Sequence, residues 1–306
     1  MSRWVTTAPI NSAWRGPTFD VTAPVDLGWG VRLIVLPDWL KQPSITGLMS
    51  WTERTAYIGE ATFALSVEYD ADSLGEPDPQ ATIEPLSKQD VAAEKLRRAN
   101  LALWLARPSW AGFRMVISAH EDEGEWVLRQ TYQTPTIRPI ERDASNALSR
   151  DDFSLAKKLG DSASELSIKA STWIAMMLLW RALTETWWES RYLLLWVALE
   201  ALFGSGTPNE TTYRLSQKLA FFLAEDRSKV RGLYDRAKAG YSVRSKVVHG
   251  FQHHSSLGKA KADELLADSE SFVRRALGKI LTDPQHRQTF SGNKQREEFL
   301  ERLVFG

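Results

Sequence analysis

A chain of 306 residues has room for two domains of ordinary size, and a hydrophobic share of 43% with 25% charged residues excludes disorder and fibrous repeats. Cysteine is absent, so disulfide frameworks, thiolate zinc sites and cysteine nucleophiles are excluded together. The 38 Lys and Arg balance 38 Asp and Glu, which argues against coating of nucleic acid through overall charge and leaves local asymmetry to be read.

The first thirty residues carry prolines, Arg3, Arg15 and Asp20 without an uninterrupted apolar core, so no secretory signal is expected. The densest apolar runs, Trp173 to Trp180 and Tyr192 to Leu199, fall short of the roughly 18 to 20 residues of a membrane span. The expectation is a cytoplasmic chain with core helices and no membrane partner.

Residues 1 to about 140 alternate as half-buried strands do. In "ALSVEYD" the residues Leu65, Val67 and Tyr69 share one face, and "FRMVIS" and "EWVLRQTY" repeat the pattern with Phe113, Met115, Ile117, Trp126, Leu128 and Tyr132. The spacer "AHEDEGE", with Gly124, reads as a hairpin turn. One helix interrupts the strands over "DVAAEKLRRANLALWLARP", closed by Pro108. "EPDPQATIEPL" reads as an internal loop, in a stretch from Glu68 to Glu94 that holds eight acids against Lys88 alone. The domain boundary falls in "TPTIRPIERDASNALSRDD", at about residue 150, which makes 1–150 an α+β domain suited to sensing a trigger or docking a protein partner.

From 151 to 306 every segment reads helical: Phe153 to Leu166, Thr172 to Thr184, Glu189 to Phe203, Thr211 to Ala224, Lys229 to Lys238 and Lys259 to Leu281. Breaks fall at "GSGTPNE" and "HGFQHHSSLG". The helices between 172 and 203 are apolar almost all round, as in the centre of a bundle or a buried dimer seam, and both readings imply a helical bundle.

Between Glu210 and Gly250 nine basic residues face four acids. This stretch ends in "YSVRSKVVHG", where Arg244 and His249 invite a chemical reading. Five residues along a helix separate two side chains by about 140°, so one regular helix makes them diverge. Gly250 gives the helix a stop, and Ser242 after Gly240 reads as an N-cap, which leaves a helix of two turns. Two copies related by a two-fold axis would bring both pairs into a shared cleft. Histidine moves protons near neutral pH and a guanidinium fork grips phosphate, a combination suited to attack by a ribose 2′-hydroxyl on its own phosphodiester without a cofactor.

Rival chemistries are not written in the chain. His249 and His253 are four apart, but the glutamate of a zincin is absent and Gly250 intervenes, so no metal is expected. "GSGTPNE" lacks the lysine of a phosphate loop, and no serine nucleophile elbow occurs. Glu200, alone in "WVALEALF", reads as a buried carboxylate that needs a cation, either Arg214 or Arg244. Trp173, Trp180, Trp187, Trp188 and Trp196 read as core, with Trp187 and Trp188 at a helix break where they could stack on bases.

Three stretches together carry a family resemblance: "RYLLLWVALEALFGSG", "YRLSQKLAFFLAED" and "YSVRSKVVHG". They resemble the HEPN superfamily, in particular its Apea-like branch, over about residues 172 to 281 and most densely over 191 to 250. The resemblance implies an α+β domain followed by an all-α HEPN-type bundle, acting as a homodimer. Its active members are metal-independent endoribonucleases that leave a 2′,3′-cyclic phosphate. By this resemblance Arg244 holds the scissile phosphate, His249 transfers protons and Ser245 supports them, with Glu200, Arg214, Lys246 and Tyr241 around the site, RNA as the substrate and antiviral defence or toxin-like control as the setting. A noncatalytic HEPN module that dimerises or binds RNA or a partner is the alternative. A ligand sensor in 1–150, with the helical half only dimerising, is a third reading.

Overall fold

The computed structural model describes residues 3–10, 18–70, 88–138, 147–204 and 211–306. They fall into two compact units, Met1–Ile137 with Ala144–Ser164, and Arg138–Asp143 with Glu165–Gly306. The first is built on antiparallel strands and the second is helical.

In the first unit the strands are β1 (Arg3–Ile10), β2 (Thr18–Asp20), β3 (Val25–Asp26) and β4 (Val31–Val35). A 3₁₀ turn (Asp38–Lys41), α1 (Pro43–Thr46) and a π-helical turn (Glu53–Gly59) lead to β5 (Phe63–Asp70). Then follow α2 (Lys88–Ala106), β6 (Met115–Asp122), β7 (Glu125–Gln133), β8 (Ala147–Ser149) and α3 (Arg150–Ser164). Six strands form one sheet in the order β3-β4-β5-β1-β6-β7, antiparallel throughout, while β2 and β8 pair in parallel.

Leu65, Val67 and Tyr69 are buried as their alternation requires, yet Ala64 and Ser66 on the opposite face are buried too. Helix α2 packs on β1, β4 and β5, and Leu36, Leu40, Ile45, Met49 and Ile58 pack against Ala64, Met115, Ile117 and Ala119. Both faces of the sheet are therefore covered. Central β1, buried continuously from Val5 to Ile10, loses the period-two signal for the same reason. The β6–β7 hairpin is as read from the sequence but tighter. Register runs to Asp122↔Glu125, and Glu123 (φ 50°) and Gly124 (φ 86°) make the two-residue turn, whose positive φ values match the twist of the flanking strands.

The boundary lies later than residue 150. Helix α3 packs against α2, Phe153 meets Phe19 edge-on at 5.5 Å, and Gly160 passes so near Leu27 that a Cβ would sit 2.6 Å from its carbonyl oxygen. These contacts tie 150–164 to the sheet. The loop "EPDPQATIEPL" and the 139–146 part of the boundary segment lie outside the described residues.

The second unit holds α4 (Ser171–Thr184), α5 (Trp188–Phe203), α6 (Thr211–Leu223), α7 (Arg227–Val248), α8 (His254–Leu257), α9 (Lys259–Thr282), α10 (Pro284–Phe290) and α11 (Asn293–Phe305). Of the two readings open for the apolar helices, α5 is the bundle centre: it contacts α4, α6, α7 and α9 and buries Tyr192, Leu195, Trp196, Leu199 and Phe203. Arg191 of α5 and Glu270 of α9 form an interior ion pair at 2.9 Å, which supplies the partner a buried charge demands. No helix among the described residues is long and apolar enough to cross a membrane.

Candidate functional site

The motif sits on a longer helix than its residues suggest. Asp226 caps α7, its carboxylate accepting from Ser228 N at 2.9 Å and Lys229 N at 3.3 Å, and the helix then runs unbroken through Gly240 and Ser242 to Val248. Ser242 is thus a mid-helix residue and not an N-cap. Gly240 is there for contact: a Cβ would lie 2.5 Å from the Trp196 ring, and Tyr192 Oη donates to the Gly240 carbonyl at 2.7 Å. The stop at Gly250 is as expected. With φ +71° it lets its own N–H reach Val247 O at 3.0 Å and Phe251 N reach Lys246 O at 2.8 Å, the paired bonds of a Schellman end.

Arg244 meets Glu200, the isolated acid of α5. Its Nη2 lies 2.9 Å from Oε1 and 3.0 Å from Oε2, and Tyr241 Oη donates to Oε1 at 2.8 Å. The Arg244 guanidinium also lies over the Tyr241 ring, 5.5 Å from its centroid. Burial pushes the Tyr241 hydroxyl up to about 12, helped by its hydrogen bond to Glu200 and the charge of that carboxylate. Glu200 is half-buried, not sealed: its side chain is 24% exposed and that of Arg244 22%.

This cluster opens on a cleft of about 580 Å³, lined among others by Lys169, Glu200, Tyr241, Arg244, Arg296 and Glu297. His249 is not among the lining residues. It forms the exposed C-terminal cap of α7, and because the helix is continuous the divergence of about 140° from Arg244 stands. One chain alone brings Arg244, Tyr241 and Glu200 together and leaves His249 apart. Beside it two apolar side chains are exposed, Val248 and the 79%-exposed Phe251, whose ring centroid is 6.2 Å from that of His249.

The remaining expected residues scatter. Ser245 is half-buried one position from Arg244, Lys246 is exposed, and Arg214 is exposed on α6, while Glu200 is engaged by Arg244. Trp188 is core, donating Nε1 to Ala262 O at 3.1 Å and stacking on Tyr192, whereas Trp187 is exposed and Trp173 and Trp180 are half-buried. His254 is half-buried, its backbone N–H donating to Glu189 Oε1 at 2.8 Å. Among the described residues no three His, Asp or Glu side chains converge as metal ligands would.

Arg296 of α11 belongs to the cleft and was not expected there. The signal was present in "NKQREEFLERLVF": Arg296 lies four residues before Leu300, on the buried stripe of a charged helix. In comparisons with known proteins, no family model, no curated protein and no solved structure matches this chain.

Proposed function

We propose that the chain is a metal-independent endoribonuclease of HEPN type, cutting RNA by 2′-hydroxyl attack at a site that two copies complete. The observation that carries this reading is the Glu200–Arg244–Tyr241 cluster. It holds a guanidinium at the edge of an open cleft, on the same helix whose end presents an exposed histidine. A fixed fork of donors suits a phosphodiester and its developing charge, and an exposed imidazole suits proton transfer near neutral pH. The divergence of the two groups within one chain is what a two-fold pairing of α7 ends would resolve, and exposed Val248 and Phe251 beside His249 supply apolar surface for it. In this scheme Ser245 and Lys246 flank the phosphate path, and the first unit receives a trigger or protein partner in an antiviral or toxin-like role.

The test is incubation of purified wild-type and His249→Ala protein with mixed RNA in excess EDTA, followed by analysis of the new ends. Cyclic-phosphate and 5′-hydroxyl ends from wild type alone support the reading, and cleavage by both proteins sinks it. The second reading, a noncatalytic module that dimerises or binds RNA or a partner, is favoured by one observation: the Glu200 carboxylate already occupies Arg244. Saturable RNA binding with no new ends under any partner condition would select it.

A further inference from the structure

The buried side of α11 carries a cation that forms no ion pair with any described carboxylate. Arg296 is 7% exposed, and it lines the cleft together with Asn293 and Glu297 of the same helix. Its Nη1 donates to Ala201 O at 2.7 Å, which fixes the plane of the group, while its Nε is buried without a hydrogen-bond partner. Burial pushes its pKa below the ordinary arginine value, opposed only by the charge of Glu297. A guanidinium removed from water is strongly disfavoured unless an anion replaces its hydration. Arg191, the other deeply buried arginine among the described residues, has that anion in Glu270. Arg296 has an open cleft instead.

Three further features of the cleft carry the same sign. Helix α11 begins there with Asn293, its N-cap Gly292 offers no side-chain cap, and no acid stands in its first turn. The positive end of its dipole therefore adds to the field in the cleft, while the Gln295 side chain folds back onto Gly292. Across the cleft, Glu200 engages only Nη2 of Arg244, whose Nε is buried without a hydrogen-bond partner. Lys169 adds a third cation, against Glu200 and Glu297 as the acids of the lining.

We propose that this cleft seats a phosphate group, with Arg296 as its deep anchor and Arg244, Lys169 and the first turn of α11 around it. The inference rests on the reading of Arg244 as a phosphate-binding group and does not depend on cleavage. The phosphate can belong to an RNA chain or to a free nucleotide, and the experiment separates the two.

The full chain is titrated at constant ionic strength with inorganic phosphate, with adenosine 5′-monophosphate and with a short RNA bearing 2′-O-methyl riboses, which cannot be cut. Binding is followed by calorimetry and by the rise in melting temperature. Wild type is compared with Arg296→Gln, with Arg296→Lys, and with Lys261→Ala, which removes an exposed cation of α9 outside the cleft lining. Saturable binding by wild type and Lys261→Ala, weakened about tenfold or more in Arg296→Gln and recovered in part by Arg296→Lys, is the expected result. Binding of the monophosphate without the RNA assigns a free nucleotide, and the reverse assigns the polymer. A folded Arg296→Gln protein with wild-type affinity overturns the proposal. So does a wild-type protein whose melting temperature none of the three ligands raises, an arm that stands if the variants fail to fold. Arg296-dependent binding without RNA cleavage counts against the nuclease alone, and cleavage with binding indifferent to Arg296 counts against this inference alone.

Discussion

Both carboxylate oxygens of Glu200 lie within 3.0 Å of one nitrogen of Arg244, Nη2, so α5 fixes where the guanidinium of α7 points. Glu200→Gln keeps the shape and removes the charge. The expected loss of stability is about 1.5 kcal/mol, at the low end for a hydrogen bond to a charged group because an amide oxygen still accepts, measured by urea unfolding. A positioning role also predicts that kcat for RNA cleavage falls while KM does not rise. A change in stability alone, with kcat intact, would leave Glu200 purely structural.

Gly240 offers a test whose sign separates two explanations. On helix propensity alone, Gly240→Ala in the middle of α7 stabilises by about 1 kcal/mol. A Cβ there would stand 2.5 Å from Trp196, and overpacking a filled core costs about 1–3 kcal/mol. Packing is expected to win, seen as a lower urea midpoint at unchanged slope, and an unchanged or raised midpoint would show that Trp196 yields.

The sheet-then-helices order was legible because strand and helix periods differ, and the α4, α5, α6 and α9 bounds follow from apolar stripes and turn residues. What escaped detection did so for physical reasons. The central strand β1 is buried on both faces, so it shows no alternation. Gly240 and Ser242 read as a helix break because glycine spacing signals a turn and close packing alike, and only the Trp196 ring distinguishes them. The boundary was read at prolines, whereas α3 stays with the sheet through Phe153 and Gly160. In the site, the lone acid of an apolar helix predicted a cationic partner, and of the two candidates the structure selects Arg244. Arg296 lay beyond the resemblance, hidden among exposed charges.

The turn beyond the motif should lose stability in acid. Glu189 Oε1 accepts the His254 backbone N–H at 2.8 Å, and that bond, with the charges of His253 and His254, holds the carboxyl below its ordinary 4.5. A depressed folded pKa means that the unfolded chain binds the proton more readily. The contribution is therefore complete above the unfolded value and is lost as the pH falls through the folded one. Wild type should exceed Glu189→Gln in stability at pH 7, and the gap should close in the acid range below 4.5. A gap independent of pH would remove the ionised carboxylate from the account.

If two copies complete the site, complementation follows from the geometry. Arg244 and His249 diverge by about 140° on one continuous helix, so on the proposed reading the guanidinium that holds a phosphate and the imidazole that serves it would come from different chains. Arg244→Ala and His249→Ala should each be inactive, since each homodimer lacks one kind of group throughout. Mixed and allowed to exchange, they form heterodimers in which one intact arginine faces one intact histidine, and RNA cleavage should return to a fraction of the wild-type rate. Phe251→Asp, which places a charge on the exposed apolar surface beside His249, should abolish the recovery together with the dimer, read by sedimentation. Inactive mixtures of proteins that demonstrably exchange would mean that each site draws both groups from one chain. In that case the His249 end of α7 would have to bend back toward the cleft, and the Schellman bonds from Gly250 and Phe251 would have to open on substrate binding.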